Sequence, residues 1–218
     1  MSLLLVTAVR AEADAVLSGL DTDHPGIVVA PVGVGSAAAA AGTARLLALA
    51  EAAGRPYTGV LCAGIAGGFA PRAAPPATVL ARRSVAADLG AESPDGFLPL
   101  DELGFGRTVV EADSDLLKAL RVALPGALVG DVLTVNTVTG TAGSAAALAA
   151  RHPEALAEAM EGYGVACAAA DAGAPFAELR TISNPIGPRD RAAWRIGDAL
   201  AALTAAAAAL KAGIAWAA

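Results

Sequence analysis

Cysteine is scarce in this chain: Cys62 and Cys167 are the only two in 218 residues. Each lies in an apolar run, so neither a disulfide framework nor a paired-cysteine metal site can be built, and a reducing, cytoplasmic setting is expected. Basic residues are also in short supply, with 15 Lys and Arg against 21 Asp and Glu, a formal charge of −6. A chain of that sign repels phosphate backbones, so nucleic acid is not an expected partner. Met1 to Glu12 lacks the basic start and long apolar stretch of a signal peptide. The most apolar C-terminal stretch, Ala199 to Leu210, is about half of the ~20 residues a membrane span needs, so no membrane partner is expected. His24 and His152 both precede proline in polar surroundings and read as surface residues; no cluster suggests a metal, and no cofactor is expected.

What is abundant is apolar sequence, 56% of the chain, enough for one substantial core and too little for two. One domain over residues 1–218 is expected, without internal repeats. Leu3 to Thr7 is a continuous apolar run feeding an alanine-rich segment that contains Glu12, the pattern of a buried strand leading into a helix. The alternation recurs. Strands are expected at 26–32, 59–63, 78–80, 108–110, 127–134 and 178–182. Helices are expected from Ser36, as cap, to about Ala53, and at 114–124, 144–151, 163–172 and 191–212. Such alternation argues a three-layer α/β/α arrangement around a mixed sheet, with ligands at the carboxyl ends of its strands. Residues 88–106, rich in Gly, Pro and acids, lack periodicity and read as a functional loop. The alanine bias reads as compositional.

Several turns could meet a ligand. Gly33-Val34-Gly35-Ser36-Ala37-Ala38 fits the loose GxGxx(G/A) form of a dinucleotide-binding turn, but it follows the second strand and lacks an acid on the next strand's tip. A plain strand-to-helix turn is the better reading. Cys62 to Gly68 sets three glycines after a buried strand, where bare N–H groups can approach a ligand; a tight turn explains them equally. Met160-Glu161-Gly162 puts an acid ahead of an apolar helix. A solvated glutamate is the usual origin of such a residue, and a carboxylate accepting hydrogen bonds from a ribose diol is the alternative. Arg180-Thr181-Ile182-Ser183-Asn184-Pro185 ends a strand with a polar pair; an Asn-Pro turn, with Asp190 capping the last helix, accounts for it without a ligand.

In their order along nearly the whole chain, Glu12 beyond the first strand, the glycines of 64–68, Met160-Glu161-Gly162 and Arg180-x-Ile-Ser-Asn resemble the nucleoside phosphorylase/nucleosidase family. The loop Ala87 to Glu92 and the run Ile182 to Trp194 narrow the resemblance to members that hydrolyse a 6-oxopurine nucleoside carrying a carboxyphenyl-ketone chain at its 5′ carbon. The resemblance implies a homo-oligomer, a small-molecule nucleoside substrate and an oxocarbenium-like ribosyl centre. It implies Glu12 as the group that positions and deprotonates a water, and Glu161, beside Met160, as the grip on the ribose hydroxyls. Asn184 would face purine N7, with Ser183 and Arg180 orienting that strand end. Gly64, Ile65, Ala66 and Gly67 would contact the substrate, and Val132, Leu133 and Thr134 would form the base-stacking edge.

Two positions depart from the family's adenine nucleosidases, which usually have an acid at Asn184 and a hydroxyl residue at Ile65. An amide cannot protonate N7 but can donate a hydrogen bond to N7 or O6, which favours a 6-oxopurine. The rivals are a methylthioadenosine/adenosylhomocysteine nucleosidase or a purine nucleoside phosphorylase on the same fold and, from another class, a dinucleotide-binding module. Phosphorolysis needs cations around a dianion, and residues 64–68 contain none, although Arg10 could reach in. An acidic substrate needs a cation too; Arg10, Arg72, Arg189 and Arg191 are equal candidates.

Overall fold

The computed structural model describes residues 2–20 and 26–213, with side chains to residue 211; His24 lies outside the described residues. Strand β1 (Leu3–Thr7) is buried at all five positions. Leu3 and Leu5 pack with Val16, Leu20, Leu203 and Leu210, while Leu4 and Val6 pack with Leu47, Val165 and Phe176. Successive strand side chains point to opposite faces, so an unbroken apolar run is what a strand covered on both sides requires. Helices α1 (Arg10–Leu20) and α6 (Ile196–Gly213) cover one face, and α2 (Ser36–Ala52) and α5 (Gly162–Asp171) the other.

The sheet is mixed, as expected, and it also closes. Its order is β10 (Phe176–Pro185), β4 (Thr78–Ala86), β8 (Leu128–Thr134), β9 (Ala155–Ala159), β3 (Gly59–Gly68), β1 and β2 (Ile27–Pro31), with β7 (Val109–Glu111) appended to β4. Because β10 also pairs with β3, five strands form a ring from which β1 and β2 extend. Strand β3 changes neighbour along its length: residues 59–62 pair in parallel with β1, and Gly67 and Gly68 pair antiparallel with β9. Ala66, Val79, Ala81, Val132, Ala157 and Ile182, drawn from all five strands, pack together inside the ring. A ring this narrow admits only small side chains. Part of the alanine bias therefore has a structural use.

Several elements differ from the sequence reading. The third strand does not stop at Ala63 but runs through the glycines to Gly68. Strand β9 was not expected, because His152-Pro153 and Glu158 break its apolar pattern. Residues 88–106 contain a hairpin of β5 (Gly90–Ser93) and β6 (Gly96–Pro99). Ser36 does not cap α2: Gly35 occupies that position at φ 90°, and no side chain bonds there. Helix α3 (Ser114–Ala123) is capped by Asp113, and α4 (Ala142–Arg151) by Thr141, two residues before the expected start. The last helix is interrupted, a 3-10 turn at Arg191–Ala193 preceding α6. His152 is half-buried rather than on the surface.

By length and composition, residues 191–211 could cross a membrane, which the shorter alanine stretch did not suggest. Their apolar stripe of Ala199, Leu203, Ala206, Ala207 and Leu210 is buried, and Leu203 and Leu210 meet α1. The α1–α6 crossing depends on Gly19, where a Cβ would stand 2.2 Å from the Thr204 carbonyl oxygen and 2.9 Å from Ala207 Cβ. Backbone must shift to admit it. Gly19→Ala is expected to reduce the unfolding free energy by roughly 1–3 kcal/mol even though alanine is the better helix former. Urea denaturation reads this as a lower midpoint, and a variant at least as stable as the parent would refute close packing at this crossing.

Candidate functional site

The carboxyl ends of β1, β3, β9 and β10 converge on a buried ion cluster. Arg180, 1% exposed, donates from Nε to Glu178 Oε1 at 2.9 Å and from Nη1 to Glu161 Oε2 at 3.2 Å. Its Nη2 donates to Cys62 Sγ at 3.3 Å. Burial pushes the Cys62 thiol well above its usual value, so the sulfur meets the guanidinium as a neutral thiol. Burial also raises the Glu178 carboxyl, opposed by the Arg180 charge and by the Ser84 hydroxyl that donates to its Oε2. A Cβ on Gly64 would stand 2.6 Å from Glu12 Oε1 and 2.9 Å from Arg180 Nη1, so the bare glycine is what lets Glu12 and the cluster share one place.

Glu12 and Glu161 are both buried, at 4% and 5% exposure, and neither is a solvated surface acid. Glu12, the third residue of α1, reaches back to accept from the Val9 N–H at 3.2 Å and the Ala8 N–H at 3.0 Å, as the carboxylate of a capping box does. Its other oxygen, Oε1, accepts from the Ile65 N–H at 2.9 Å. Glu161 Oε1 accepts from the Gly35 N–H at 3.2 Å, and Oε2 from Arg180 and from the Met160 N–H at 3.2 Å. The positive φ of Gly35 thus serves this carboxylate, and the expected dinucleotide-type turn commits its N–H there. A carboxylate has about four acceptor sites. Each of these two has three occupied, leaving one lone pair on Oε1.

Beside the cluster lies a cleft lined by Gly67, Val138, Thr139, Glu158, Asn184, Arg189 and Trp194 among others. Glu158, Gly67 and Asn184 are register partners across β9, β3 and β10, and the glycine between the two polar residues leaves the cleft floor open. Pairing of β10 with β3 slips by one residue between Ile182 and Asn184. Ser183, in that bulge, has its hydroxyl 2.8 Å from Asn184 Oδ1 and 3.2 Å from the Ala66 carbonyl. One hydroxyl proton serves the nearer acceptor, which turns Asn184 Nδ2 outward as the donor; it reaches the Pro185 carbonyl at 3.0 Å.

The structure brings Glu12, Gly64, Ile65, Glu161 and Arg180 together, with Gly67, Ser183 and Asn184 at the adjoining cleft. Met160 contributes its backbone, and Ala66 is buried, packed inside the ring. Arg180 does not orient the Asn184 strand end as expected; its donors go to Glu161 and Glu178. Val132, Leu133 and Thr134 do not form an exposed edge. They are at most 2% exposed within β8, and Thr134 Oγ1 accepts from the Tyr163 N–H. The segment that lines the cleft lies beyond that strand, at Val138 and Thr139. Glu158 was missed altogether: it accepts from the Thr139 N–H at 2.8 Å and from the Thr139 hydroxyl. The available signal was an acid inside the Ala155–Ala159 run, which its neighbours' small size disguised.

The chain matches the phosphorylase superfamily model over residues 16–215. It is 53% identical to the futalosine hydrolase of Streptomyces coelicolor, over 94% of this chain and 92% of that protein. It is 49% identical to the futalosine hydrolase of Acidothermus cellulolyticus, over 98% and 91%. Among solved structures it is similar to the 5′-methylthioadenosine/S-adenosylhomocysteine nucleosidase of Neisseria meningitidis, with a TM-score of 0.79 at 19% identity, covering 97% of this chain and 98% of that one. The S-adenosylhomocysteine nucleosidase of Streptococcus pyogenes gives a TM-score of 0.78, also at 19% identity, over 97% of each chain. At that identity the likeness concerns the fold.

Burial raises the Glu158 carboxyl above its ordinary value, opposed by the two Thr139 donors. The folded chain therefore holds this proton more tightly than the unfolded chain does. Its contribution favours the fold below the ordinary carboxylate range and is lost as pH rises through the raised value. Glu158→Gln cannot lose a proton, so the melting temperature of the variant, relative to the parent, is expected to climb as pH is raised from acid to neutral. A difference that stays constant across the series would contradict the raised carboxyl.

Proposed function

The chain belongs to the phosphorylase superfamily, and we propose that it hydrolyses the N-glycosidic bond of futalosine, releasing hypoxanthine. One observation carries the chemistry: a carboxylate fixed by three backbone donors, Glu12, shares a glycine-lined site with a second buried carboxylate, Glu161, beside a cleft edged by an amide. On this reading the open lone pair of Glu12 Oε1 takes a proton from water as the water oxygen attacks C1′. The C1′–N9 bond breaks, and its electron pair passes to the purine. Asn184 Nδ2 donates toward N7 and O6, where that charge collects. The open lone pair of Glu161 accepts from a ribose hydroxyl, and its negative charge favours the cationic ring. With one site left, Glu161 takes one hydroxyl directly, and gripping both would require it to release a present partner.

Water rather than phosphate suits the charges present. Arg180, the cation in the cluster, is wholly buried and engaged with Glu178 and Glu161. Arg10 lies 3.5 Å from Asp14, with both side chains mostly in solvent. A dianion beside Glu12 and Glu161 would therefore meet two carboxylates whose nearest guanidinium, Arg180, is already engaged. The same proposal places the enzyme in the cytoplasm, in menaquinone biosynthesis and as a homo-oligomer; the relatives' printed activity supports the pathway, and the two free cysteines suit the compartment.

Incubation with futalosine should release hypoxanthine at the same rate with and without phosphate, the base and sugar being identified by chromatography. A strict phosphate requirement, or a sugar 1-phosphate product, would overturn hydrolysis.

Asn184→Asp tests the base edge. At neutral pH the new carboxylate sets an acceptor against O6 and N7, and losing one such hydrogen bond costs about 1.5–3 kcal/mol, roughly one to two decades in rate. Toward an adenine-bearing analogue the same group accepts from N6–H and, once protonated, donates to N7. The ratio of adenine-type to hypoxanthine-type cleavage should therefore rise, most clearly at acid pH. A ratio unchanged across the pH series would remove Asn184 from the base.

A further inference from the structure

Seven arginines of the described chain have partners that account for them. Arg72 donates to the carbonyls of His152, Pro153 and Ala155, and Arg151 to that of Ala87. Arg82 and Arg83 pair with Asp131, Arg180 with Glu178 and Glu161, Arg195 with Asp198, and Arg10 with Asp14. Arg121, at the end of α3, lines a different surface hollow on the far side of that helix. Arg189 differs from all of these. It lines the same cleft as Asn184, and among the described residues it pairs with no acid. Its guanidinium lies over the Trp194 ring, 5.6 Å from the centroid, and its Cγ and Cδ lie 3.5 Å from where a Gly140 Cβ would stand. The stem is thus laid down on a glycine and the head is held by an indole, so a flexible side chain is already placed before any ligand arrives. Arg191 also approaches Trp194, at 5.5 Å, but it does not line the cleft.

A guanidinium fork without an acid, exposed at the edge of a cleft in a chain whose net charge is negative, is suited to one class of ligand group, a planar oxyanion that can accept two parallel N–H bonds. We propose that Arg189 forms a carboxylate subsite, taking the acidic end of the nucleoside substrate while Trp194 holds the guanidinium in position. The proposal rests on the hydrolytic reading of this cleft and ranks Arg189 above Arg10, Arg72 and Arg191 as the specificity residue. Arg72 is excluded by its three carbonyl contacts, and Arg10 by its pairing with Asp14 and its absence from the cleft lining.

The test compares futalosine with its primary carboxamide, which keeps the size and shape of the carboxylate but not its charge. The parent enzyme is expected to prefer the acid by about tenfold to a hundredfold in kcat/KM, the range of one charge-assisted hydrogen bond or pair. Arg189→Gln should reduce that preference to within a few fold, chiefly through KM for the acid. Arg189→Lys, which keeps the charge without the fork, should fall between them. A general structural defect would slow both substrates alike and leave the preference intact. Preference undiminished in Arg189→Gln, or abolished by Arg191→Gln but not by Arg189→Gln, would overturn the subsite. Failure of the parent enzyme to release hypoxanthine from either compound would instead overturn the hydrolytic reading.

Discussion

Everything at the centre of this fold answers to the burial of Arg180. A guanidinium withdrawn from water is stable only if its donors are met, and removal of one partner leaves an uncompensated charge worth several kcal/mol, on the order of 3–5. Its partners come from separate elements: Glu178 from its own strand, Glu161 from the end of β9, and Cys62 from β3. Ser84 on β4 completes Glu178. The cluster can form only when the ring of strands has closed, so the pairing of β10 with β3 and the assembly of the site are one event. Glycines make the room: at Gly162 a Cβ would stand 2.2 Å from both Glu178 oxygens, which leaves no alternative to the bare backbone.

The same cluster determines how Glu161 is offered to a ligand. Its Oε2 is taken by Arg180 and the Met160 N–H, and its Oε1 is half taken by the Gly35 N–H, so the carboxylate is oriented and its open site aims one way. Glu12 is arranged alike, with α1 and β3 in place of Arg180 as its supports. Two carboxylates each held by three donors need little reorganisation, which is the condition under which fixed groups stabilise a cationic centre most effectively. The arrangement also concentrates negative charge, and it does so where the sheet interior supplies just one guanidinium.

How much of this could be read from the residues varies with the kind of signal. Leu3 to Thr7 and the alternation that follows announced a sheet covered on both faces, because burial on two sides leaves an unbroken apolar run. Closure of the ring has no such signature: it depends on β10 meeting β3, a contact between residues more than a hundred positions apart whose local patterns are ordinary. Glu12, Glu161 and Asn184 were singled out through the resemblance that their order carries, since each alone reads as readily as a surface acid or a turn. Val132 to Thr134 were misplaced for a physical reason. A strand end and the segment beyond it look alike in composition, and only the register shows that β8 is packed into the ring before the chain emerges at Val138. Glu158 went unnoticed because its carboxylate is satisfied by Thr139, an ordinary residue in a different segment.

The likeness to nucleosidases of 19% identity concerns the fold, and in this chain two segments leave the ring at the cleft. Each of these segments is tied back to the sheet by its own polar contact. Thr139 is fastened to Glu158 on β9, and the chain beyond Asn184 is fastened by the Ile186 N–H to the Gly68 carbonyl and by the Arg195 N–H to the Ser183 carbonyl, both at 2.8–2.9 Å. These ties use backbone groups and buried acids, so side chains on the intervening residues can change without disturbing the cluster. Such a division allows one scaffold to keep its buried cluster while residues of the cleft walls, Asn184 and Arg189 among them, vary. It also limits the variation: at Gly67, the narrow floor shared by Glu158 and Asn184, a Cβ would stand 2.6 Å from Ile186 Cγ2. Side chains can therefore be exchanged on the cleft's two walls far more readily than on its floor.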